Sequence, residues 1–147
     1  MVNFSKATLL FAIGYVTAIG ITVILLPLQT SLRALIVFGI VQLIFTELHF
    51  VYLSKTKCEI ENTLRTILKI GGFWAILSIT LDFALFSVLV PLISGAGFDP
   101  GFFGTQPFWY WAQFPMMIIT GLIARVTYLK VYKIQLEASQ KEEVQIY

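Results

Sequence analysis

Four stretches of this sequence are long and apolar enough to cross a lipid bilayer as α-helices, and they constrain the fold more than any other feature. A spanning helix needs about 20 mainly apolar residues, because the hydrocarbon layer is ~30 Å thick and each helical residue rises ~1.5 Å. The stretches cover about residues 6–28, 32–53, 68–93 and 107–132. We therefore predict an all-α, polytopic membrane protein built as a four-transmembrane-helix bundle.

The composition agrees with a single membrane domain over residues 1–147. Hydrophobic residues make up 58% of the chain and charged residues 12%, against about 45–50% and about 25% in soluble globular domains. A water-soluble fold of this size cannot bury so much apolar surface. The first apolar stretch is longer than the ~7–15 residues of a signal-peptide core, so we expect a retained helix rather than a cleaved signal.

Several classes of function are disfavoured by what the chain contains. A net charge of +2 is too small to indicate nucleic-acid binding. Cys58 is the one cysteine, which excludes an internal disulfide and a multi-cysteine metal site. The sequence has neither a glycine-rich phosphate loop nor an HExxH zinc motif. We therefore predict no metal and no cofactor, and we assign no catalytic residue.

The connections between the apolar stretches differ in kind. The first two stretches are separated by so few residues, 29–31, that their helices must be antiparallel neighbours. Residues 54–67 form a polar connection, residues 94–106 form a loop rich in glycine and phenylalanine, and residues 133–147 form a polar tail.

Basic residues predict the orientation, because cytoplasmic loops of membrane proteins retain Lys and Arg. With the N-terminus inside, nine of the ten basic residues lie on the cytoplasmic side and Arg33 lies outside. The nine are Lys6, Lys55, Lys57, Arg65, Lys69, Arg125, Lys130, Lys133 and Lys141. This asymmetry predicts that both termini are cytoplasmic, in a plasma or inner membrane.

Asp82 is the strongest candidate for a functional group inside the bilayer. A charge there costs about 2.5–3.5 kcal/mol on insertion scales, and Asp82 lies near the midplane, about 14 residues from the inner end of its helix. Gln42 and Thr17 fall at a similar depth, and Ser78 shares the helix face of Asp82. Asp82 either is protonated and hydrogen-bonded to Gln42, or lines a proton, cation or amine-substrate site, or pairs with a charge on a partner subunit.

A second polar layer lies nearer the cytoplasm and consists of Glu47, His49 and Arg125. Glu47 and Arg125 lie at matched depth, which suits a structural ion pair, snorkelling of both side chains, or a functional pair. His49 is either a polar packing residue or a proton-relay group, because imidazole titrates near neutral pH. The prediction is a polar cluster on the cytoplasmic side.

The outer loop and the start of the fourth stretch are aromatic. Seven of the fourteen positions from 98 to 111 are aromatic, with glycines between them. This pattern suits either an interfacial aromatic belt or a flexible lid or docking surface. The candidate residues are Phe98, Phe102, Phe103, Trp109 and Trp111.

The polar layers favour a non-enzymatic protein that binds or transports a small solute or a proton at Asp82, within the lipid bilayer. Four helices enclose little volume, so a transporter would need to dimerise. One alternative is a non-catalytic accessory subunit of a larger membrane complex. A weaker alternative is a lipid-modifying enzyme, for which the sequence offers no evident nucleophile–base arrangement.

Overall fold

A computed structural model describes the backbone of residues 2–56, 59–95, 97–106 and 108–145, and all of their side chains except those of residues 30, 31, 102, 103, 109 and 135–145. All regular secondary structure in the described part of the chain is helical, without strands. Its elements are helix α1 (Phe4–Ile24), helix α2 (Thr30–Lys55), a 3-10 turn (Ile60–Asn62), helix α3 (Thr63–Asp82), a π-helical segment (Phe83–Leu89), helix α4 (Val90–Ile93), a second 3-10 turn (Phe102–Thr105) and helix α5 (Phe108–Gln145).

Four segments of the structure are long and apolar enough to cross a membrane: Phe4–Ile24, Leu32–Thr56, Ile60–Ile93 and Tyr110–Ile134. In the most apolar window of the first segment, only 17% of the residues are buried inside the protein. Large aliphatic side chains such as Ile24 and Leu35 are at least 70% exposed. An outer surface of this kind is compatible with the apolar surroundings that a bilayer provides.

The four long helices run alternately up and down, and hydrogen bonds between them fix their relative height. At one end the backbone N–H of Asn3 donates to the Tyr52 hydroxyl at 2.8 Å, and the Asn3 side chain caps α1 by accepting from the N–H of Lys6. One turn further in, the indole N–H of Trp74 on α3 donates to the carbonyl of Ala7 on α1 at 2.9 Å. The start of α1 therefore lies beside the end of α2 and the middle of α3.

The core near this end is aromatic. Phe11, Phe45 and Trp74 come from three different helices and are all at most 2% exposed. Their ring centroids lie 5.5–6.4 Å apart, in the range of favourable aromatic pairs. These ring contacts, two tilted and one edge-on, join α1, α2 and α3.

Helix α5 packs closely on α3 and α2 because two glycines leave room for it. A Cβ atom on Gly71 of α3 would lie 3.0 Å from the backbone oxygen of Met117 and 3.1 Å from the Cα of Ile118. A Cβ atom on Gly121 of α5 would lie 2.5 Å from a methyl carbon of Ile67 and 3.1 Å from the His49 ring. Small residues at such positions let membrane helices approach each other.

The third span departs most from the boundaries expected from the sequence. Its helix α3 begins at Thr63, within the segment 54–67 that was expected to be a polar connection. The charged side chain of Arg65 is accommodated in the helix because it is exposed. After Asp82 the span widens into the π-helical segment, and it ends at Ile93. Helix α5 continues beyond the fourth span into the polar tail, to Gln145.

Pro91 explains how the outer loop returns to the bundle. Proline has no N–H, so it cannot bond the carbonyl of Ser87 one turn earlier. That carbonyl instead accepts the backbone N–H of Asp99 at 3.0 Å, and the Pro91 carbonyl accepts the N–H of Gly97 at 3.2 Å. Gly97 has a φ of +79°, which glycine adopts readily. The loop is therefore folded back onto the end of the third span.

Candidate functional site

Asp82 lies where three helices converge, and two tyrosines hold its carboxylate. The hydroxyl of Tyr15 on α1 donates to Oδ1 at 2.5 Å, and the hydroxyl of Tyr110 on α5 donates to Oδ2 at 2.8 Å. Asp82 is only 6% exposed and is the last residue of α3, directly before the π-helical segment. π-Helical turns are rare and often occur at functional sites.

A cavity of about 300 Å³ lies beside this carboxylate. All four long helices contribute to its wall, which includes Thr22 of α1, Val41 of α2, Asp82 at the end of α3, and Gln113 of α5. The wall is mainly aliphatic and aromatic, and among the described residues that line it none is basic. The cavity therefore combines an apolar surface with one acidic group, a composition typical of small-molecule sites.

The sequence analysis grouped three residues around Asp82, and only one of them lines the cavity. Ser78, one turn before Asp82 on α3, is buried and lines the same cavity. Thr17 is exposed and its hydroxyl donates to the carbonyl of Ile13 within α1. The side-chain oxygen of Gln42 is buried and has no hydrogen-bond partner in the described part of the chain, and Gln42 does not line the cavity. In place of the expected amide of Gln42, Asp82 has Tyr15 and Tyr110 as its partners.

Sequence reasoning missed the two tyrosines, although one of them carried a signal. Tyrosine is enriched at membrane interfaces, where its hydroxyl reaches water. Tyr15 lies instead in the middle of the apolar helix α1, where its hydroxyl needs a hydrogen-bond partner within the protein. Tyr110 gave no separate signal, because it lies within the aromatic run at the start of α5.

The three residues of the second polar layer make different contacts. Arg125 donates from Nε to the hydroxyl of Thr63 at 2.8 Å. Thr63 in turn donates to the carbonyl of Ile60 at 2.7 Å, which ties the connection between α2 and α3 to α5. Glu47 is exposed, and Arg125 has Thr63 rather than Glu47 as its hydrogen-bond acceptor.

His49 is completely buried. Its Nδ1 lies 2.8 Å from the carbonyl of Phe45, so Nδ1 carries the proton that is donated. Nε2 is buried with no hydrogen-bond partner among the described residues. The ring packs at 4.3 Å from the ring of Trp74 and faces Gly121. His49 thus fills space between α2, α3 and α5.

The outer aromatic residues lie near the cavity end of the bundle. Phe98 is 59% exposed and meets Phe83 edge-on, with ring centroids 6.1 Å apart. Trp111 is 43% exposed and packs against Tyr110, which binds Asp82. The side chains of Phe102, Phe103 and Trp109 lie outside the described set.

The described residues contain no group of three His, Cys, Asp or Glu side chains that could hold a metal ion. Comparisons of the chain with protein-family models, with curated protein sequences and with solved structures give no match. The chemistry of the site is therefore argued from its own residues: one carboxylate, two phenol hydroxyls and an apolar cavity beside them.

Proposed function

We propose that this protein is an integral membrane protein that binds or transports a small solute or a proton at the cavity beside Asp82. The observation that carries the proposal is a carboxylate in the wall of a cavity of about 300 Å³, without a basic residue among the described lining residues. A carboxylate inside a membrane is costly, and such groups mark ion, proton or substrate pathways.

Two features support a binding site over a purely structural hydrogen bond. First, the carboxylate is anchored by Tyr15 and Tyr110, so its position is fixed before anything binds. Second, the neighbouring wall has space for a solute, whereas structural polar groups in membranes normally pack directly against partner helices. Ser78 and Gln113 add polar groups to the same wall.

The proposed orientation places both termini and the connection between α2 and α3 in the cytoplasm. It rests on the distribution of basic residues, nine of which lie on that side against one on the other. In this orientation the cavity lies in the outer half of the bundle, because its lining comes from the second half of α1 and the first half of α5. The side chains of His49 and Arg125 would then lie on the cytoplasmic side of the cavity.

A second candidate function is that of an accessory subunit in a larger membrane complex, and Glu47 favours it. Glu47 is an exposed carboxylate within the second span. It lies one helical turn after Leu43, on the same face of α2, and Leu43 is 69% exposed. A basic group of a neighbouring subunit would stabilise it there. Purification in mild detergent separates the two functions: a stoichiometric partner protein supports the subunit role, and a chain that purifies alone contradicts it.

The test of the proposed function compares the wild-type protein with Asp82→Asn and, as a matched control, Glu47→Gln. Both changes replace a carboxylate by an amide, but only the first lies at the cavity. Proton flux is measured in proteoliposomes with an internal pH dye. Ligand binding is measured as a rise in melting temperature over a panel of small cationic, neutral and anionic organic compounds.

We expect at least one of these signals in the wild-type protein and in Glu47→Gln, and its loss in Asp82→Asn. If proton flux and every ligand-induced shift are the same in all three proteins, or are absent from all three, the proposed function is wrong.

A further inference from the structure

We propose that the solute class of this site is a small lipophilic amine, bound with its ammonium group at Asp82 and its apolar body in the cavity. The inference rests on the proposed function and deepens it by naming the ligand chemistry.

The first argument is the acceptor capacity of the carboxylate. An ionised carboxylate offers about four lone-pair sites on its two oxygens. The hydroxyls of Tyr15 and Tyr110 occupy one site on each oxygen. Both oxygens therefore keep capacity for a further donor, and an ammonium group carries up to three N–H donors.

The second argument is charge. Among the described lining residues no Lys, Arg or His neutralises Asp82, and the two phenols are neutral donors. A buried anion is strongly stabilised by a cation that forms hydrogen bonds with it. An anionic solute would be repelled here, and a neutral solute would leave the carboxylate without a counter-charge. The site therefore selects for positive charge.

The third argument is the remainder of the wall. Phe45 and Phe86 line the same cavity as the two tyrosines. Aromatic faces attract ammonium groups through the negative potential of the ring face. Beyond them the wall is aliphatic, with Ile19, Val23 and Val37 among its residues. An amine with a hydrocarbon or aryl body matches both parts of the wall, whereas a hydrated metal cation would leave the apolar part unused.

The fourth argument is size. A volume of about 300 Å³ corresponds to roughly ten water molecules at ~30 Å³ each and lies at the lower limit of small-molecule pockets. It suits a compact amine of about one ring and a short chain. A two-chain phospholipid exceeds it.

The test uses three probes of nearly equal shape and different charge: 3-phenylpropylamine, 3-phenylpropan-1-ol and 3-phenylpropanoate. Binding to the purified full chain in detergent micelles is measured by equilibrium dialysis, with empty micelles subtracted. We expect the amine to bind at least tenfold more tightly than the alcohol, and the acid not to bind. In Asp82→Asn the preference for the amine should fall below threefold, whereas Glu47→Gln should retain it.

The ratio of amine affinity to alcohol affinity is measured in the wild-type protein alone, so the test holds even if Asp82→Asn does not fold. Equal binding of amine and alcohol, or an amine preference that survives in folded Asp82→Asn, overturns the amine assignment. If the amine assignment fails while the flux or ligand panel still depends on Asp82, the proposed function stands with another solute or a proton. If both fail, the site itself is wrongly assigned.

Discussion

Tyr15 and Asp82 lie 67 positions apart in the chain and are joined by a hydrogen bond of 2.5 Å. The bond connects the middle of α1 to the last residue of α3. Tyr110 reaches the other carboxylate oxygen from α5. A single acidic group therefore joins three of the four spans by hydrogen bonds, beside a cavity whose wall the remaining span, α2, helps to form.

The first prediction concerns the energy of this contact. Tyr15→Phe removes one hydroxyl donor from the Asp82 carboxylate and should lower the free energy of unfolding by about 0.5–2 kcal/mol. In a double-mutant cycle with Asp82→Asn, the two changes should not add, because both alter the same hydrogen bond. Reversible unfolding in mixed micelles measures both quantities. Tyr132→Phe, at a half-exposed site away from Asp82, is the control; strict additivity of the cycle would contradict the prediction.

The second prediction uses two adjacent glycines of α3. Gly71→Ala should destabilise the protein by about 1–3 kcal/mol, because the new methyl group would press on the backbone of α5 at Met117 and Ile118. Gly72→Ala has no atom within 4 Å of its new Cβ and should be neutral or slightly stabilising, since alanine favours helix. Thermal denaturation of the two variants measures the difference. Equal melting temperatures would show that α3 and α5 are not packed as described.

The third prediction concerns Pro91 and the outer loop. Pro91→Ala supplies an N–H that can bond the Ser87 carbonyl within the helix, in competition with the N–H of Asp99. The Asp99 amide should then exchange its hydrogen several-fold faster, as expected for a bond of about 0.5–1.5 kcal/mol. Hydrogen exchange read by mass spectrometry measures the change. The Leu25 amide, which is bonded to the Ile21 carbonyl at the end of α1, is the control and should keep its exchange rate. Unchanged exchange at Asp99 would contradict the prediction.

The fourth prediction concerns orientation. A fluorescent protein fused to the C-terminus should fold and fluoresce in a bacterial host, because the basic residues retain that end in the cytoplasm. A Phe98→Cys variant in a Cys58→Ser background should react in whole cells with a thiol reagent that does not cross membranes. An active periplasmic reporter at the C-terminus, or Phe98→Cys reacting only in lysed cells, would reverse the proposed orientation.

The sequence predicted the helices well because their signal is local. Apolar runs of about 20 residues specify spanning helices without knowledge of their neighbours. Asp82 could be singled out for the same reason, because one carboxylate in an apolar run is costly wherever its neighbours lie. The π-helical segment that follows it carries no comparable local signal, since Phe83–Leu89 reads as ordinary apolar helix.

The partners of Asp82 could not be predicted from depth alone. Gln42 and Thr17 were placed near it because they lie at a similar distance along their helices, but contact also requires the rotation of each helix about its axis. Thr17 is exposed, two positions after Tyr15, which faces Asp82. Two positions on a helix are separated by about 200°, so Tyr15 and Thr17 lie at nearly the same depth but on opposite sides, and depth alone does not tell which of them faces Asp82.

The most direct test of the central claim asks whether a solute reaches the cavity beside Asp82 and meets a negative charge there. Ser78 lines that cavity, so Ser78→Cys in a Cys58→Ser background places a thiol in its wall. The purified protein is treated with methanethiosulfonate reagents that differ in charge, one trimethylammonium and one sulfonate. Their rate ratio is compared with that in the same protein carrying Asp82→Asn. We predict labelling by the cationic reagent, with a rate ratio at least tenfold higher than in the Asp82→Asn protein. An unreactive thiol, or the same ratio with and without the carboxylate, would contradict the account.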